Sequence, residues 1–83
     1  MNAVRIAPSA LKHGISAAEA VAAWENFACK QRRSDDAWIA IGFSASGKEV
    51  ELVALDLLDG DVLIVHAMSP STEKMRRELG MGR

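Results

Sequence analysis

Residues 37–67 read AWIAIGFSASGKEVELVALDLLDGDVLIVHA, and the fold turns on this run. Three apolar segments, 37–43, 49–57 and 62–67, are separated by SASGK (44–48) and LDGD (58–61). Gly47 suits a positive φ in the first of these turns. Asp59-Gly60 in the second is a strong hairpin signal. AWIAIGF is apolar on both faces. EVELVALDL opens with Glu49 and Glu51 on one face and Val50 and Leu52 on the other, the period of a strand. Just upstream, CKQRRSDDAW (29–38) reads as a short polar strand and a turn at 34–36 leading into the same sheet. The expectation is a three- or four-stranded antiparallel meander over residues 29–67.

Helices are expected on both sides of it. Ser16 with Glu19 three residues on forms a capping box. Ala17, Val21, Trp24 and Ala28 then recur at helical spacing, with Ala20 and Phe27 beside them, which predicts a helix over about 16–28. Before it, PSALKH (8–13) reads as a turn and a half of helix: Pro8 fits the first position and Gly14 the end. After the meander, Ser69, Ser71 or Thr72 caps a final helix over about 71–79, which Gly80 closes. AVRI (3–6) is open between a short strand and an arm. The fold expected is thus α+β in one small domain, 1–83: two N-terminal helices, the antiparallel sheet and a C-terminal helix, with one sheet face buried beneath the helices. Val21, Trp24, Phe27, Ile39, Ile41, Leu52, Ile64 and Val65 are the expected core.

Composition bounds the function. Of 83 residues, 49 % are hydrophobic and 25 % charged, enough apolar material for a modest core. Ten Lys and Arg against eleven Asp and Glu leave a net charge of −1. A nucleic-acid contact therefore has to come from a local patch. Cys29 is the sole cysteine, so no internal disulfide forms, and no Cys/His cluster has zinc spacing. No metal or other cofactor is implied. The first residues lack the apolar core of a signal peptide, and no stretch has the length of a membrane span. A soluble cytoplasmic protein without a membrane partner is the expectation.

The candidate residues each carry a functional and a plain reading. His66 ends a strand where a turn hands over to a helix. Alternation places it with Val62 and Ile64, at the rim of the core face, where an imidazole serves as general acid or base. The plain reading is a histidine satisfied at the sheet edge. Lys12 and His13 either meet a phosphate or act as a proton donor, or, on the plain reading, complement the dipole of a helix end. Lys30, Arg32 and Arg33 on the polar strand, with Lys74, Arg76 and Arg77 on the last helix, form an RNA-binding patch if the two segments meet. Asp35, Asp36, Glu73 and Glu78 stand close enough in sequence to neutralise them. Trp24 and Trp38 are read as core packing rather than base-stacking platforms, and Glu49 and Glu51 as a solvent-facing strand side. The segment 8–24 has the outline of a helix-turn-helix, but Glu19, Glu25, Asn26 and a run of alanines are poor readers of base edges.

Three stretches, KHGISAAEA (12–20), IGFSASGKEVELV (41–53) and VLIVHAMSPSTEKMRREL (62–79), occur in the order found in BrnT-type toxins of bacterial toxin–antitoxin modules. The chain resembles that family, part of the wider RelE-like ribonuclease group. Lys12, His13, Gly14, Ile15, Ser16, Glu19 and Ala20 match its first motif. Ile41, Gly42, Ser44 and Gly47 match the second. Ile64, Val65, Ala67, Ser71 or Thr72, and Arg76 or Arg77 match the third loosely. His66 stands where the family has Ser, and Met68 where it has Arg. The resemblance implies a metal-independent endoribonuclease, for which His66, His13 and Lys12 are this chain's candidate catalytic groups. RNA and an antitoxin protein are the implied partners. The alternative is a non-catalytic interaction module on the same scaffold, which pairs with a protein or a second copy through an open sheet edge.

Overall fold

A computed structural model of the chain describes residues 3–81. In chain order the elements are β1 (Val4–Ile6), a single 3-10 turn (Pro8–Leu11), α1 (Ala17–Glu25), β2 (Phe27–Ser34), β3 (Ala37–Phe43), β4 (Glu49–Asp56), β5 (Val62–Met68) and α2 (Glu73–Glu78). The strands form one five-stranded sheet in the order β1-β5-β4-β3-β2. The β2–β5 meander is antiparallel, as its turns predict, with Gly47 at φ 87° and Gly60 at φ 91°.

Three parts of the expected fold are corrected. The sheet is mixed: β1 pairs parallel with β5, Val4 opposite Val62 and Ile6 opposite Ile64. Arg5 secures this strand by bonding Asp59 and Asp61 in the β4–β5 turn. Secondly, there is one N-terminal helix, not two. Residues 8–11 make only a 3-10 turn, since Gly14, at φ 81°, turns the chain before a longer helix can propagate. Thirdly, the helices do not share one face of the sheet.

On one face α1 packs Ala20, Ala23 and Trp24 against Ala40, Val50, Leu52, Ala54, Ile64 and Ala67. On the other, Met75 and Leu79 of the α2 segment pack against Ile39 and Ile41. Alternate residues of β3 and β4 thus enter two separate half-cores, which accounts for β3 being apolar on both faces. Gly42 permits the close approach of α1: a Cβ built there would lie 1.8 Å from the Ala23 carbonyl oxygen.

The α1 capping box is present, with Ser16 Oγ accepting from Glu19 N–H and Glu19 accepting from Ser16 N–H. The helix stops early, however. Asn26 leaves helical geometry and its side-chain amide donates to the Ala22 carbonyl. Phe27 and Ala28 therefore open β2 instead of closing α1, and Phe27 is 49 % exposed rather than in the core. Val21 and Val65 are half-buried, whereas the other expected core residues are buried.

Candidate functional site

The α2 face of the sheet carries the polar chemistry. Glu51, in the middle of β4, sits beside Ile41 on β3 and Met68 on β5. Its side chain is only 5 % exposed, so the solvent-facing assignment of Glu49 and Glu51 does not hold for it. Both oxygens of this buried carboxylate are engaged. Oε2 lies 2.8 Å from Nε2 of His66. Oε1 accepts from the Thr72 backbone N–H at 2.6 Å and from its hydroxyl at 2.7 Å. A parallel arrangement lies two residues back, where the Ser71 hydroxyl donates to Glu49 and Arg76 donates to Ser71 Oγ and carbonyl.

His66 reaches this face through an irregularity. It pairs with Val53, while Ile64 pairs with Ala54, so β5 carries one extra residue between the two pairs. The bulge sends Ile64 into the α1-side core and His66 to the opposite face. The expected sharing of a face by Val62, Ile64 and His66 is thereby corrected. The His66 side chain is 29 % exposed. Its ring meets that of His13 edge-to-face, with centroids 5.5 Å apart and planes at 71°. His13 and Lys12 are exposed, just beyond the 3-10 turn that Ser9 fastens to the Val65 carbonyl.

Burial alone would raise the Glu51 pKa; the hydrogen bonds from Thr72 and then the His66 ring outweigh it and hold the carboxyl below its ordinary value. Glu51 is thus ionised at neutral pH and acts only as an acceptor. The hydrogen between the two side chains must then reside on Nε2 of His66. In the neutral ring this leaves the Nδ1 lone pair as the basic site. A groove of about 220 Å³ opens beside the pair, lined by Arg33, Glu51, His66, Thr72, Lys74 and Glu78 among others.

The six cations of the expected RNA patch do not gather on one surface. Lys30 and Arg32 lie on the α1 side, Lys30 Nζ 3.9 Å from the Trp24 ring centre and Arg32 over Trp38. Burial lowers the Lys30 pKa. Arg32 also bonds Asp56. Arg33 points to the α2 side and makes a two-pronged contact with Glu78, each prong 2.9 Å. That contact draws the Glu78 pKa down and pushes the Arg33 pKa up. Arg76 is held by Ser71, Arg77 lies 3.5 Å from Glu73, and Lys74 lines the groove. Trp24 is buried as expected, and Trp38 is partly buried with its indole N–H on Asp56.

The sequence reading named His66, His13 and Lys12 and missed Glu51 and Thr72. The available signal was an acid in an apolar strand, a histidine on the next strand and a Ser-Thr pair just after it. Among the described residues no group of three or more His, Cys, Asp or Glu side chains is placed to hold a metal ion. None of the described helices is long and apolar enough to cross a membrane.

A small mixed-sheet α+β domain with a buried carboxylate–histidine pair at a groove is the class these features define. Compared with models of protein families, with curated proteins and with solved structures, the chain finds no match.

Proposed function

We propose that this protein is a toxin-type ribonuclease, acting on RNA in the cytoplasm and held in check by an antitoxin protein. One observation carries the reading: a partly exposed histidine, fixed by a buried carboxylate, stands beside a second histidine at a groove containing cations. The chemistry such a pair supports is transesterification of the RNA backbone. Nδ1 of His66 accepts the proton of a 2′-hydroxyl, and the 2′-oxygen attacks phosphorus. The P–O5′ bond breaks, and protonated His13 returns a proton to the departing oxygen. The products are a 2′,3′-cyclic phosphate and a 5′-hydroxyl. Each proton transfer contributes about 10²–10⁴-fold. Lys74 and Arg33, which line the groove, are the cations that offset phosphate charge, with Arg33 drawn from Glu78, and Lys12 adjoins His13 in the chain. Every group in this step belongs to the chain itself.

A second reading, the non-catalytic interaction module, is favoured by a different observation. Phe27 and Phe43 are exposed at the end of the sheet where β2 is the open edge strand. The test separates the two. Purified protein, freed of any bound partner, is incubated with single-stranded RNA and the fragment ends are identified. Cyclic phosphate ends that vanish in His66→Ala, with the melting temperature nearly unchanged, support the ribonuclease. Intact RNA with the wild-type protein retires it in favour of the interaction module. A loss of about 1–3 kcal/mol in His66→Ala, with activity falling only as the protein unfolds, makes His66 structural.

A further inference from the structure

We infer that Thr72 is a positioning residue: its two donors fix the rotation of the Glu51 side chain, so that Oε2 is held against Nε2 of His66 and Nδ1 is left free to act as the base. The inference deepens the ribonuclease reading and rests on it for the word base; the hydrogen-bond chain itself does not.

The chain runs in one direction only. Met75 N–H donates to the Thr72 hydroxyl oxygen at 3.2 Å, the usual contact of a helix cap. With a lone pair of Oγ1 so occupied, its single hydrogen is directed to Glu51 Oε1 at 2.7 Å. The Thr72 backbone N–H reaches the same oxygen. Two donors on Oε1 leave Oε2 to face His66 Nε2. The N-terminus of α2 thereby sets the rotation of the carboxylate, and the carboxylate sets the ring. A carboxylate has two equivalent oxygens, so the wild-type protein conceals this control. An amide at the same place exposes it.

In Glu51→Gln the two Thr72 donors require the amide oxygen on their side. The amide NH₂ is then turned to His66, whose Nε2 must accept, and the neutral ring must carry its hydrogen on Nδ1. If Thr72 exerted no control, the amide would rotate, offer its oxygen to His66 and keep the hydrogen on Nε2. The experiment is ¹⁵N NMR of the imidazole nitrogens in the full-length protein, with the two histidines told apart by His13→Gln. The wild type should hold the Nε2–H tautomer. Glu51→Gln should invert the ratio by about tenfold or more, the equivalent of one buried hydrogen bond made or lost. Adding Thr72→Val should weaken that inversion about fivefold, and adding Thr72→Ser should keep it. An Nε2–H ring in Glu51→Gln, or an inversion indifferent to Thr72→Val, overturns the inference.

Should Glu51→Gln fail to fold, the single Thr72→Val variant carries the test. Solvent exchange of the His66 Nε2–H should then quicken about fivefold and return to the wild-type rate in Thr72→Ser; an unchanged rate overturns the inference. None of these readouts uses RNA. A protein that shows the inversion yet never cuts RNA loses the ribonuclease reading alone, whereas a protein that cuts RNA without the inversion loses only the role of Thr72.

Discussion

The two faces of the sheet are held by different physics. The α1 face is almost entirely aliphatic: alanines, Val50, Leu52 and Ile64 close around Trp24, and Gly42 lets the helix backbone approach the strand. The α2 face has a smaller apolar contact, Ile39 and Ile41 with Met75 and Leu79. Around it the Glu51–His66–Thr72 chain, the Glu49–Ser71–Arg76 chain and the Arg33–Glu78 fork tie the last helix to the strands. Burial of apolar area is nearly indifferent to pH and salt. Charge-assisted hydrogen bonds are sensitive to pH, and the exposed ones to salt as well. The contrast shows how a chain with little core material can secure one layer by packing and the other by directed polar contacts, with the second left partly open to solvent.

That contrast can be broken most readily on the dry side. Trp24→Ala should cost about 3–5 kcal/mol in urea unfolding, and by the same amount at pH 5 and pH 8; a loss below about 1 kcal/mol would mean that α1 is not the main support. On the polar side, Glu51→Ala should cost about 1–3 kcal/mol by leaving the Thr72 donors unmatched. Acid sharpens the distinction. Glu51 in the folded protein releases its proton at a lower pH than in the unfolded chain, whose ordinary value is 4.5. The stability it contributes is complete above that value and is lost as pH falls through the lower, folded one. Thermal melts between pH 7 and pH 3 should therefore be flatter for Glu51→Gln than for the wild type, and identical profiles would refute the linkage. The smallest effect belongs to the Arg33–Glu78 fork, whose side chains are 40 % and 34 % exposed. Arg33→Ala should cost less than about 1 kcal/mol, and the difference should shrink in 1 M salt. A larger, salt-resistant loss would move this pair from the surface into the core.

The strands and turns of the meander were legible because Asp59-Gly60, Gly47 and the 34–36 turn punctuate apolar runs. The α1 start was legible because Ser16 and Glu19 form a local motif. What escaped was non-local. A three-residue strand such as β1 has no periodicity of its own, and its parallel partner lies far along the chain. Phe27 keeps helical spacing with Trp24, and only the Asn26 cap shows that the helix has ended. The burial of Glu51 escaped for a related reason. Alternation tells which residues share a face, but not whether a second helix will cover that face. His66 was named as a candidate, yet its side of the sheet depends on a one-residue bulge that no hydrophobic pattern records. The candidate site was therefore legible as residue types and not as an arrangement.

The parallel closure of the sheet has a bearing on when the protein comes into being. The N–H of Ala3 finds its acceptor on Asp61, 58 positions further along, so β1 waits for β5, the last of the described strands. Contacts of such long sequence separation are slow to form, and on the ribosome they cannot form until β5 has emerged. Because β1 and the turn after it carry His13 to the edge of β5, the two histidines meet only after that closure. A chain whose β5 has yet to pair with β1 can hold the earlier hairpins of the meander but not the paired rings, so any chemistry that needs both waits for that pairing.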